Sequence, residues 1–276
     1  MNKIIENKKL SENVIQVTLE APFIAQARQP GQFILLQVDE NGERIPLTIA
    51  DVDTNAGTIT LIVQVVGKTT FLLSCKKDGE EIAYVVGPLG TPTHIEQFGN
   101  VVCVGGGIGT APLFPIAKAL KEKGNHLTVI LGARTKDLII LEDKMKAIAD
   151  EFIVCTDDGS YGIKALVTQP LKNLCEKEKK PDLVVAIGPP LMMKFCSETT
   201  RPFHVKTLVS LNTIMIDGTG MCGGCRVNLG GKTQFVCVDG PEFDGHLVDF
   251  DNMIKRLNAY KKQEEHKYHE CKLKNA

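Results

Sequence analysis

The sequence predicts an antiparallel β-barrel, followed by a parallel α/β domain and by a small cysteine-bearing lobe. Short apolar runs alternate with turn residues over the first third of the chain, which is typical of a small barrel. From residue 101 onward, strand-like and helix-like segments alternate, and this order indicates a parallel sheet with right-handed crossovers. Beyond that sheet, Cys222, Cys225 and Cys237 lie close together in the sequence and indicate a separate lobe.

Length, charge and hydropathy limit the possible classes of protein. The 276 residues suffice for two domains and an appendage, and we expect boundaries at 1–96, 97–210, 211–250 and 251–276. A net charge of −1 gives no reason to expect binding to nucleic acid or to an anionic membrane surface. No apolar run is long enough to span a membrane, and the N-terminus lacks a secretory signal. A reducing cytoplasm suits the nine cysteines, most of which stand alone.

The first domain contains short predicted strands, which are Val14–Leu19, Gln32–Val38, Thr58–Val66 and Glu81–Val86. Between two of them, Arg44–Thr48 places a cation, the rigid residue Pro46 and a hydroxyl in what we interpret as a turn. A second segment, starting at Gly67, ends an apolar strand with a flexible glycine and the hydroxyls of Thr69 and Thr70, which suits a phosphate. Either segment alone is more typical of an ordinary turn than of a binding site.

The second domain opens with the strand Val101–Val104, which runs into the glycine-rich turn Gly105–Thr110. A helix follows, with Thr110 as its expected N-cap and Pro112 in its first turn. This order aims backbone amides and a helix dipole at an anion such as a pyrophosphate. Because Thr110 stands where the Rossmann fingerprint has its last glycine, close packing of strand on helix is a second interpretation of the turn.

Polar and glycine-rich residues follow the later predicted strands, at the edge where parallel sheets bind ligands. They are Arg134, Asp157, Asp158, Gly159, Gly188 and Pro189. The two aspartates suit hydrogen bonds from sugar hydroxyls, although a solvated turn explains them equally well. Arg134 could meet a 2′-phosphate, so the sequence leaves open whether a bound dinucleotide carries that group.

The cysteine lobe offers a candidate metal centre. Cys222 and Cys225 flank Gly223–Gly224, and glycines let the backbone wrap closely around an inorganic group. A cage for Zn²⁺ or for an iron–sulfur cluster needs four donors, and Asp217 is the best-placed fourth donor beside Cys237 and the other two thiols. On ligand chemistry alone both metals remain open, and the zinc alternative describes a structural site in a binding protein.

The last segment of the chain is predicted to be polar and solvent-facing. Asp249–Gln263 is helix-like, and Ala259–Ala276 is polar on all sides. No apolar stripe orders the second part, so we expect a solvated or frayed terminus.

The order of these motifs resembles the ferredoxin-reductase-like flavoproteins that carry an iron–sulfur lobe. Within that group the chain is similar to the electron-transfer subunit of dihydroorotate dehydrogenase and to the small subunit of NADH-dependent ferredoxin:NADP⁺ oxidoreductases. The resemblance rests on three stretches, 104–112, 156–162 and 217–237, in the same order along the chain.

The resemblance implies FAD in the barrel, NAD(H) in the α/β domain and a [2Fe–2S] cluster in the lobe. It gives the flavin Arg44, Pro46, Leu47, Thr48, Ile62, Val63, Gln64, Gly67, Thr69 and Thr70. It gives the nucleotide Gly106, Gly107, Ile108, Gly109, Thr110, Asp157 and Asp158. It gives the cluster Asp217, Cys222, Cys225 and Cys237. One departure is Leu47, which stands where many flavin reductases place an aromatic residue over the ring.

The resemblance also implies a function and a partner. Dihydroorotate-type subunits usually have four cysteines around the cluster, whereas Asp217 replaces the first of them here, as in the ferredoxin:NADP⁺ type. We therefore expect an electron-transfer subunit of an electron-bifurcating heterodimer, whose larger subunit carries flavin and [4Fe–4S] clusters. The alternative is the electron-transfer subunit of an NAD-dependent dihydroorotate dehydrogenase, with a TIM-barrel partner. No side chain is expected to act as a catalytic acid or base, because the cofactors carry the chemistry.

Overall fold

The computed structural model describes residues 2–275 and contains two seven-stranded sheets. The N-terminal elements are β1 (Asn2–Ser11), β2 (Val14–Glu20), α1 (Pro22–Ala27), β3 (Phe33–Gln37), β4 (Arg44–Asp53), β5 (Thr58–Gln64), α2 (Lys68–Cys75), β6 (Glu81–Ile82) and β7 (Tyr84–Leu89). Their strands form one antiparallel sheet, in the order β6-β1-β2-β5-β4-β3-β7, around an apolar core. The predicted antiparallel barrel is confirmed.

Two parts of this sheet depart from the sequence prediction. Strand β1 is rich in Lys, Asn and Glu and mostly exposed, so it lacks the apolar alternation that predicts a strand. The segment Arg44–Thr48 is the first half of β4 and not a turn. Pro46 is accommodated there because it faces Leu35 of β3 on one side and has no strand neighbour on the other.

The second sheet begins with the α/β domain. Its elements are β8 (Asn100–Gly106), α3 (Thr110–Glu122), β9 (His126–Ala133), α4 (Glu142–Ile148), β10 (Glu151–Thr156), β11 (Ile163–Lys164), α5 (Thr168–Cys175), β12 (Leu183–Ile187), α6 (Pro190–Thr200) and β13 (Lys206–Ser210). These strands run parallel to one another, as predicted, and β8, β9 and β12 are buried along almost their whole length. The apolar run of each strand follows from burial on both faces.

The cysteine lobe is attached to the edge of the parallel sheet. It contains β14 (Arg226–Leu229), β15 (Lys232–Phe235), α7 (Val236–Asp239) and β16 (Glu242–Asp244), and the C-terminal helices α8 (Phe250–Leu257) and α9 (Lys261–Asn275) follow it. Strand β16 pairs antiparallel with β13, which gives the sheet order β11-β10-β9-β8-β12-β13-β16. Cys225 and Cys237 are buried in the same apolar cluster as residues of the α/β domain, so the lobe shares its core with that domain.

The C-terminal segment is ordered as a helix over its described part. The Tyr268 ring packs edge-on against Phe71 of α2, with ring centroids 5.9 Å apart, so a tertiary contact holds α9 on the barrel. Its side chains are mostly exposed, which agrees with a solvated terminus and not with a frayed one. Met1 and Ala276 lie outside the described residues. Within residues 2–275, no helix has the length and apolar character needed to cross a membrane.

A partly buried carboxyl lies where the barrel meets the edge of the parallel sheet. Thr93 Oγ1 donates to Glu242 Oε1 at 2.6 Å, and the Thr93 N–H donates to Pro30 O at 2.9 Å. Burial raises the pKa of Glu242 to about 7, and the hydrogen bond from Thr93 opposes that shift. The folded protein therefore holds this carboxyl protonated to a higher pH than the unfolded chain does.

We predict that Glu242→Gln stabilises the protein at alkaline pH. Below pH 4.5 the carboxyl is protonated in both the folded and the unfolded wild type, so the two proteins should be equally stable. Between pH 4.5 and 7 the unfolded wild type ionises while the folded protein keeps its proton, so the wild type loses about 3 kcal/mol of stability that the variant keeps. Urea unfolding at pH 4, 6 and 8 measures the difference. A difference in the free energy of unfolding between the two proteins that is the same at all three pH values would contradict the raised pKa of Glu242.

Candidate functional site

The barrel sheet opens between β4 and β5. The two strands are paired between the Ile49–Leu61 pair and the hairpin that connects them. On the other side of the Ile49–Leu61 pair they are not paired with each other. Beyond that point, Arg44–Thr48 pairs with β3 alone and Ile62–Gln64 pairs with β2 alone. The facing backbone edges therefore have N–H and C=O groups that no neighbouring strand satisfies, and such groups need other partners. This opening suits a flat, polar-edged ligand.

Of the sequence-predicted flavin residues, Arg44–Thr48 and Ile62–Gln64 lie on the two strands that border this opening, and the side chains of Leu47 and Val63 pack on the barrel core. Pro46, Leu47 and Thr48 are half-buried, and Ile62 and Gln64 alternate with Val63 so that only the first and last of the three face outward. Val63 is 2% exposed and its side chain belongs to the barrel core. At Val63, only backbone atoms are available to a ligand. Arg44 Nε donates to Gln37 Oε1 at 3.2 Å and is otherwise exposed.

The segment from Gly67 to Thr70 begins helix α2 and does not end a strand, in contrast to the sequence prediction. Thr70 Oγ1 accepts hydrogen bonds from the N–H groups of Val66 and Gly67, at 3.1 and 3.0 Å. Thr69 is 5% exposed and its hydroxyl donates to Glu43 at 3.3 Å. Because both hydroxyls are engaged within the protein, the backbone amides of the first helical turn are the groups left for an anion.

The glycine-rich turn lies where β8 and β12 end. Gly107–Gly109 forms a 3₁₀ turn that leads directly into α3, and Thr110 is the first residue of that helix, so its predicted N-cap role is wrong. A Cβ on Gly109 would collide with the carbonyl oxygen of Ile187, and one on Gly188 would approach Gly106 Cα to 3.1 Å. The glycines are therefore needed for close approach of the two strand ends. Pro189 lies against Gly106 in the same crevice.

This crevice is the point where the strand order reverses. Strands β9 and β10 lie on one side of β8, whereas β12 and β13 lie on the other. Ligands of open α/β sheets bind outside the carboxyl ends of the strands at such a position. The predicted nucleotide residues Gly106–Thr110 and Gly188–Pro189 meet there.

The two aspartates at the end of β10 differ in what they contact. Asp158 Oδ1 accepts hydrogen bonds from the Ser160 N–H and hydroxyl, at 2.9 and 2.7 Å, and these bonds lower the pKa of Asp158. The Asp158 N–H donates to Arg134 O at 3.2 Å, which ties the turn to the end of β9. Asp157 and Arg134 are exposed. Asp158 thus stabilises the turn that contains Gly159. The exposed side chains of Asp157 and Arg134 are available to a ligand.

The barrel opening and the glycine turn are neighbours. Ile62 of β5 and Ile108 of the turn pack against one apolar cluster, which also contains Ala50 of β4 and Ala111 of α3. An apolar contact between the two sites excludes water between them. The ring of a ligand bound in the barrel opening and the ring of a ligand bound in the crevice would therefore lie close together.

The cysteine lobe folds a loop around the Asp217 carboxylate. The N–H groups of Thr219 and Cys222 donate to its two oxygens, at 3.0 and 2.9 Å. The bond from Thr219 lowers the pKa of Asp217 most, burial opposes it, and the bond from Cys222 adds to the lowering. Gly218 and Gly220 have φ of 75° and 82°, a region that favours glycine. The carboxylate is therefore held by the backbone of the loop, beside Cys222.

The other two thiols form a second pair beneath this loop. The Cys225 thiol donates to Cys237 Sγ at 3.2 Å, and both residues are almost fully buried. Burial, followed by the hydrogen bond and charge of Cys225, raises the pKa of Cys237 to about 12. Within residues 2–275, no three His, Cys, Asp or Glu side chains gather as a single-ion site. The predicted donors thus come as two pairs, Asp217 with Cys222 and Cys225 with Cys237, which suits a group of two metals better than one tetrahedral ion.

Arg28 is a candidate binding residue that the sequence patterns miss. Its Nη2 donates to Ile49 O at 3.0 Å, next to Thr48, and its buried Nε has no partner among the described residues. Burial lowers the pKa of Arg28, and Asp51 opposes that shift. Buried donors without partners are rare, so this guanidinium is suited to a ligand bound along β4. No motif marks it, because the contact joins elements that are separate in the sequence.

Two family descriptions match this chain. The oxidoreductase NAD-binding domain matches residues 103–198, and the iron–sulfur cluster binding domain of dihydroorotate dehydrogenase B matches residues 212–249. Both ranges fall inside the predicted segments 97–210 and 211–250. The predicted nicotinamide-nucleotide and iron–sulfur functions are confirmed, and the zinc alternative is not supported.

Relatives cover nearly the whole chain. A Thermotoga maritima protein named as a homolog of the dihydroorotate dehydrogenase B (NAD⁺) electron transfer subunit is 51% identical, over 97% of this chain and 94% of that protein. The corresponding subunit of Streptococcus thermophilus is 33% identical, over 87% of this chain and 94% of that protein. A chain of a solved NADH-dependent reduced ferredoxin-NADP oxidoreductase, studied for flavin-based electron bifurcation, is 50% identical with a TM-score of 0.92, over 98% of this chain and 97% of that chain. This last match confirms the predicted ferredoxin-reductase-like architecture.

We predict that Gly109→Ala destabilises the protein by about 1–3 kcal/mol, because the added methyl group meets the backbone at Ile187 and one strand end must move. The same shift should widen the crevice and weaken NADH binding. The matched control is Gly67→Ala, where a Cβ meets nothing within 4 Å. Urea unfolding and NADH titration measure both effects. Equal unfolding midpoints for the two variants would contradict the close approach.

Proposed function

The chain belongs to the family of dihydroorotate dehydrogenase B electron-transfer subunits, and we propose that it passes electrons between NAD(H), FAD and a [2Fe–2S] cluster. Within that family we assign it to the small subunit of an electron-bifurcating NADH-dependent ferredoxin:NADP⁺ oxidoreductase. The assignment is supported by the 50% identity to a chain of such a complex over nearly its full length. A cytoplasmic location, where thiols stay reduced, forms part of the proposal and suits the nine cysteines of the sequence.

One observation carries the proposal: the three candidate sites adjoin one another. The nucleotide crevice and the barrel opening share an apolar cluster through Ile62 and Ile108. On the other side of the opening, the cluster loop packs on β3 and β7, since a Cβ on Gly218 would lie 2.7 Å from Leu35 and 2.9 Å from Leu89. Strand β3 neighbours β4, so the loop lies one strand away from the opening. Electrons can therefore follow a short path from one site to the next.

For FAD, the chain offers an unpaired backbone edge and the guanidinium groups of Arg28 and Arg44. The unpaired edge of Arg44–Thr48 suits hydrogen bonds to the polar rim of a flavin ring, and the first turn of α2 suits its pyrophosphate. Arg28, whose buried Nε has no partner among the residues that the structure describes, adds a positive charge beside Thr48. We propose Arg44, Pro46, Leu47, Thr48, Ile62, Gln64, Gly67, Thr69 and Thr70 as lining residues, with Val63 contributing backbone only.

For the nucleotide, Gly106–Thr110 presents backbone amides to the pyrophosphate, and Gly188–Pro189 closes the other wall of the crevice. Asp157 is the carboxylate available to a ribose, whereas Asp158 positions the turn. For the cluster, we propose that Asp217 and Cys222 hold one iron and that Cys225 and Cys237 hold the other. When bound, FAD accepts a hydride from NADH and delivers its electrons singly to the cluster.

The partner of this subunit is proposed from its surface. Ile216, Met221 and Val238 surround the exposed Cys222 and are 57, 88 and 40% exposed. Val238 lies against Gly220 and Ile216 lies near Gly224, so these side chains form one apolar rim around the cluster loop. Apolar rims of this kind mark protein interfaces. We propose that the rim contacts a larger subunit that carries flavin and [4Fe–4S] clusters.

The alternative function is the electron-transfer subunit of an NAD-dependent dihydroorotate dehydrogenase. It is supported by the names of the relatives in Thermotoga maritima and Streptococcus thermophilus. The two functions share all three cofactors and differ in the partner. Copurification from the native host separates them, because one predicts a large flavin/[4Fe–4S] subunit and the other a TIM-barrel dehydrogenase.

We predict that the full-length chain, purified anaerobically, contains about one FAD and about two iron atoms. Cys225→Ser should lose most of the iron and keep FAD and its bleaching by NADH, because the flavin and nucleotide sites lie in other domains. Cys75→Ser, which changes an exposed thiol on α2, is the control and should keep the iron. Metal and flavin analysis with absorption spectra measures all three proteins. A colourless wild type that holds only zinc would overturn the proposal.

We predict that Met221→Glu weakens the complex with the larger subunit at least about tenfold, because it puts a charge into an apolar contact. Phe23→Glu is the matched control, since Phe23 is 86% exposed on α1 and lies outside the rim. Affinity is measured with the copurified partner immobilised. Loss of binding in Phe23→Glu, with Met221→Glu unchanged, would show that the rim is not the interface.

A further inference from the structure

The geometry points to Arg256, assisted by Arg226, as the residue that sets the reduction potential of the cluster. This inference rests on the proposed function, since it assigns a role toward the [2Fe–2S] group. The two residues come from separate elements, α8 and β14, and both reach the short backbone segment between Cys222 and Cys225. No motif in the sequence indicates either residue.

Both guanidinium groups donate to this segment. Arg256 Nη2 donates to Gly224 O at 3.1 Å, across 32 residues of sequence, and Arg226 Nη1 donates to Gly223 O at 2.9 Å. The two glycines lie between two of the proposed cluster ligands, and Gly224 N–H in turn donates to Cys222 Sγ at 3.4 Å. Gly223 O and the Gly224 N–H belong to one peptide unit, so the bond from Arg226 polarises the unit that donates to Cys222 Sγ. Arg256 instead binds the next peptide unit, which ends in the N–H of Cys225, and places its charge beside that second ligand.

The Arg256 side chain is held in a partly desolvated place. It lines a cavity of about 10 Å³ behind the loop, together with Met253, Leu257 and Thr213, whose buried hydroxyl has no partner among residues 2–275. Arg226 lines the same cavity but is exposed. Water screens a partly buried charge less than an exposed one, so Arg256 has the stronger effect on the cluster.

The positive charge of Arg256 is not cancelled by a carboxylate. The nearby acids of its own helix are engaged elsewhere: Asp251 pairs with Lys194 at 2.7 Å, and Asp249 accepts from the Asn252 N–H at 3.0 Å. Within the described residues, neither Arg256 nor Arg226 makes an ion pair with Asp or Glu. Both guanidinium charges therefore remain without a paired carboxylate among the described residues, and that of Arg256 lies behind the loop.

A cation beside an iron–sulfur cluster favours its reduced form, because reduction adds a negative charge. A unit charge within about 10 Å, at an effective dielectric constant of about 20, changes the equilibrium between the two forms by about tenfold. The guanidinium is close enough, since it contacts a residue adjacent to Cys225. Arg256 thus makes the cluster a better acceptor of electrons from the barrel.

The test is a redox titration of the full chain, reconstituted anaerobically, with the reduced cluster measured by electron paramagnetic resonance. At the ambient potential where half of the wild-type cluster is reduced, Arg256→Gln should show a reduced-to-oxidised ratio about tenfold lower. Arg256→Lys keeps the charge and should stay within about threefold of wild type. Lys255→Gln removes a neighbouring exposed charge from the same helix and is the matched control, with a smaller change than Arg256→Gln.

A second variant covers the case in which Arg256→Gln does not fold. Arg226→Gln alters an exposed strand residue and should shift the ratio in the same direction by a smaller factor. If Arg256→Gln shifts the ratio no more than Lys255→Gln, or if Arg226→Gln leaves it unchanged when Arg256→Gln does not fold, the inference is overturned and the proposed function stands. A wild type without iron and without the resonance signal overturns the proposed function, and the inference with it.

Discussion

The arrangement of this protein depends on one loop and the short helix α7 beneath it, which together hold a carboxylate and three thiols as two pairs. Glycines at 218 and 220, with positive φ, let the backbone turn around Asp217, and the N–H groups of Thr219 and Cys222 fix its oxygens. Cys225 lies directly below, in contact with Cys237. A carboxylate oxygen is a harder ligand than a thiolate, so the two metals of such a centre would differ in their electronic environment. The rest of the fold brings electrons to this loop.

The barrel and the parallel sheet each contribute backbone groups to a candidate binding site. Strands β4 and β5 separate beyond Ile49, which costs backbone hydrogen bonds unless a ligand supplies partners. The glycine turn after β8 lies in the adjoining crevice, where the strand order reverses. Each of these two sites thus offers mainly backbone groups to a ligand, and the absence of a catalytic acid or base side chain stays a prediction. Catalysis then consists of placing three redox groups in a row.

The sequence predicts most of this fold, because apolar periodicity reports burial. Strands such as β8, β9 and β12 are buried on both faces and read as continuous apolar runs. Strand β1 and helix α9 consist mostly of polar residues, so apolar periodicity does not predict them. The contact of Tyr268 with Phe71 holds α9 on the barrel. The proposed donor set of the lobe could be predicted because its members are close in sequence. The roles proposed for Arg28 and Arg256 could not be predicted from the sequence, because each residue donates a hydrogen bond to a segment that is distant in sequence and near only in the fold.

The most direct test of the account is Mössbauer spectroscopy of the ⁵⁷Fe-reconstituted chain, alone and as Asp217→Cys. If Asp217 holds an iron, the wild type should show two doublets of equal area, one for iron with mixed oxygen and sulfur ligands and one for iron with sulfur alone. In Asp217→Cys the two should become nearly alike. A wild-type spectrum already typical of two all-sulfur irons, unchanged by the substitution, would contradict the assignment of Asp217 as a ligand.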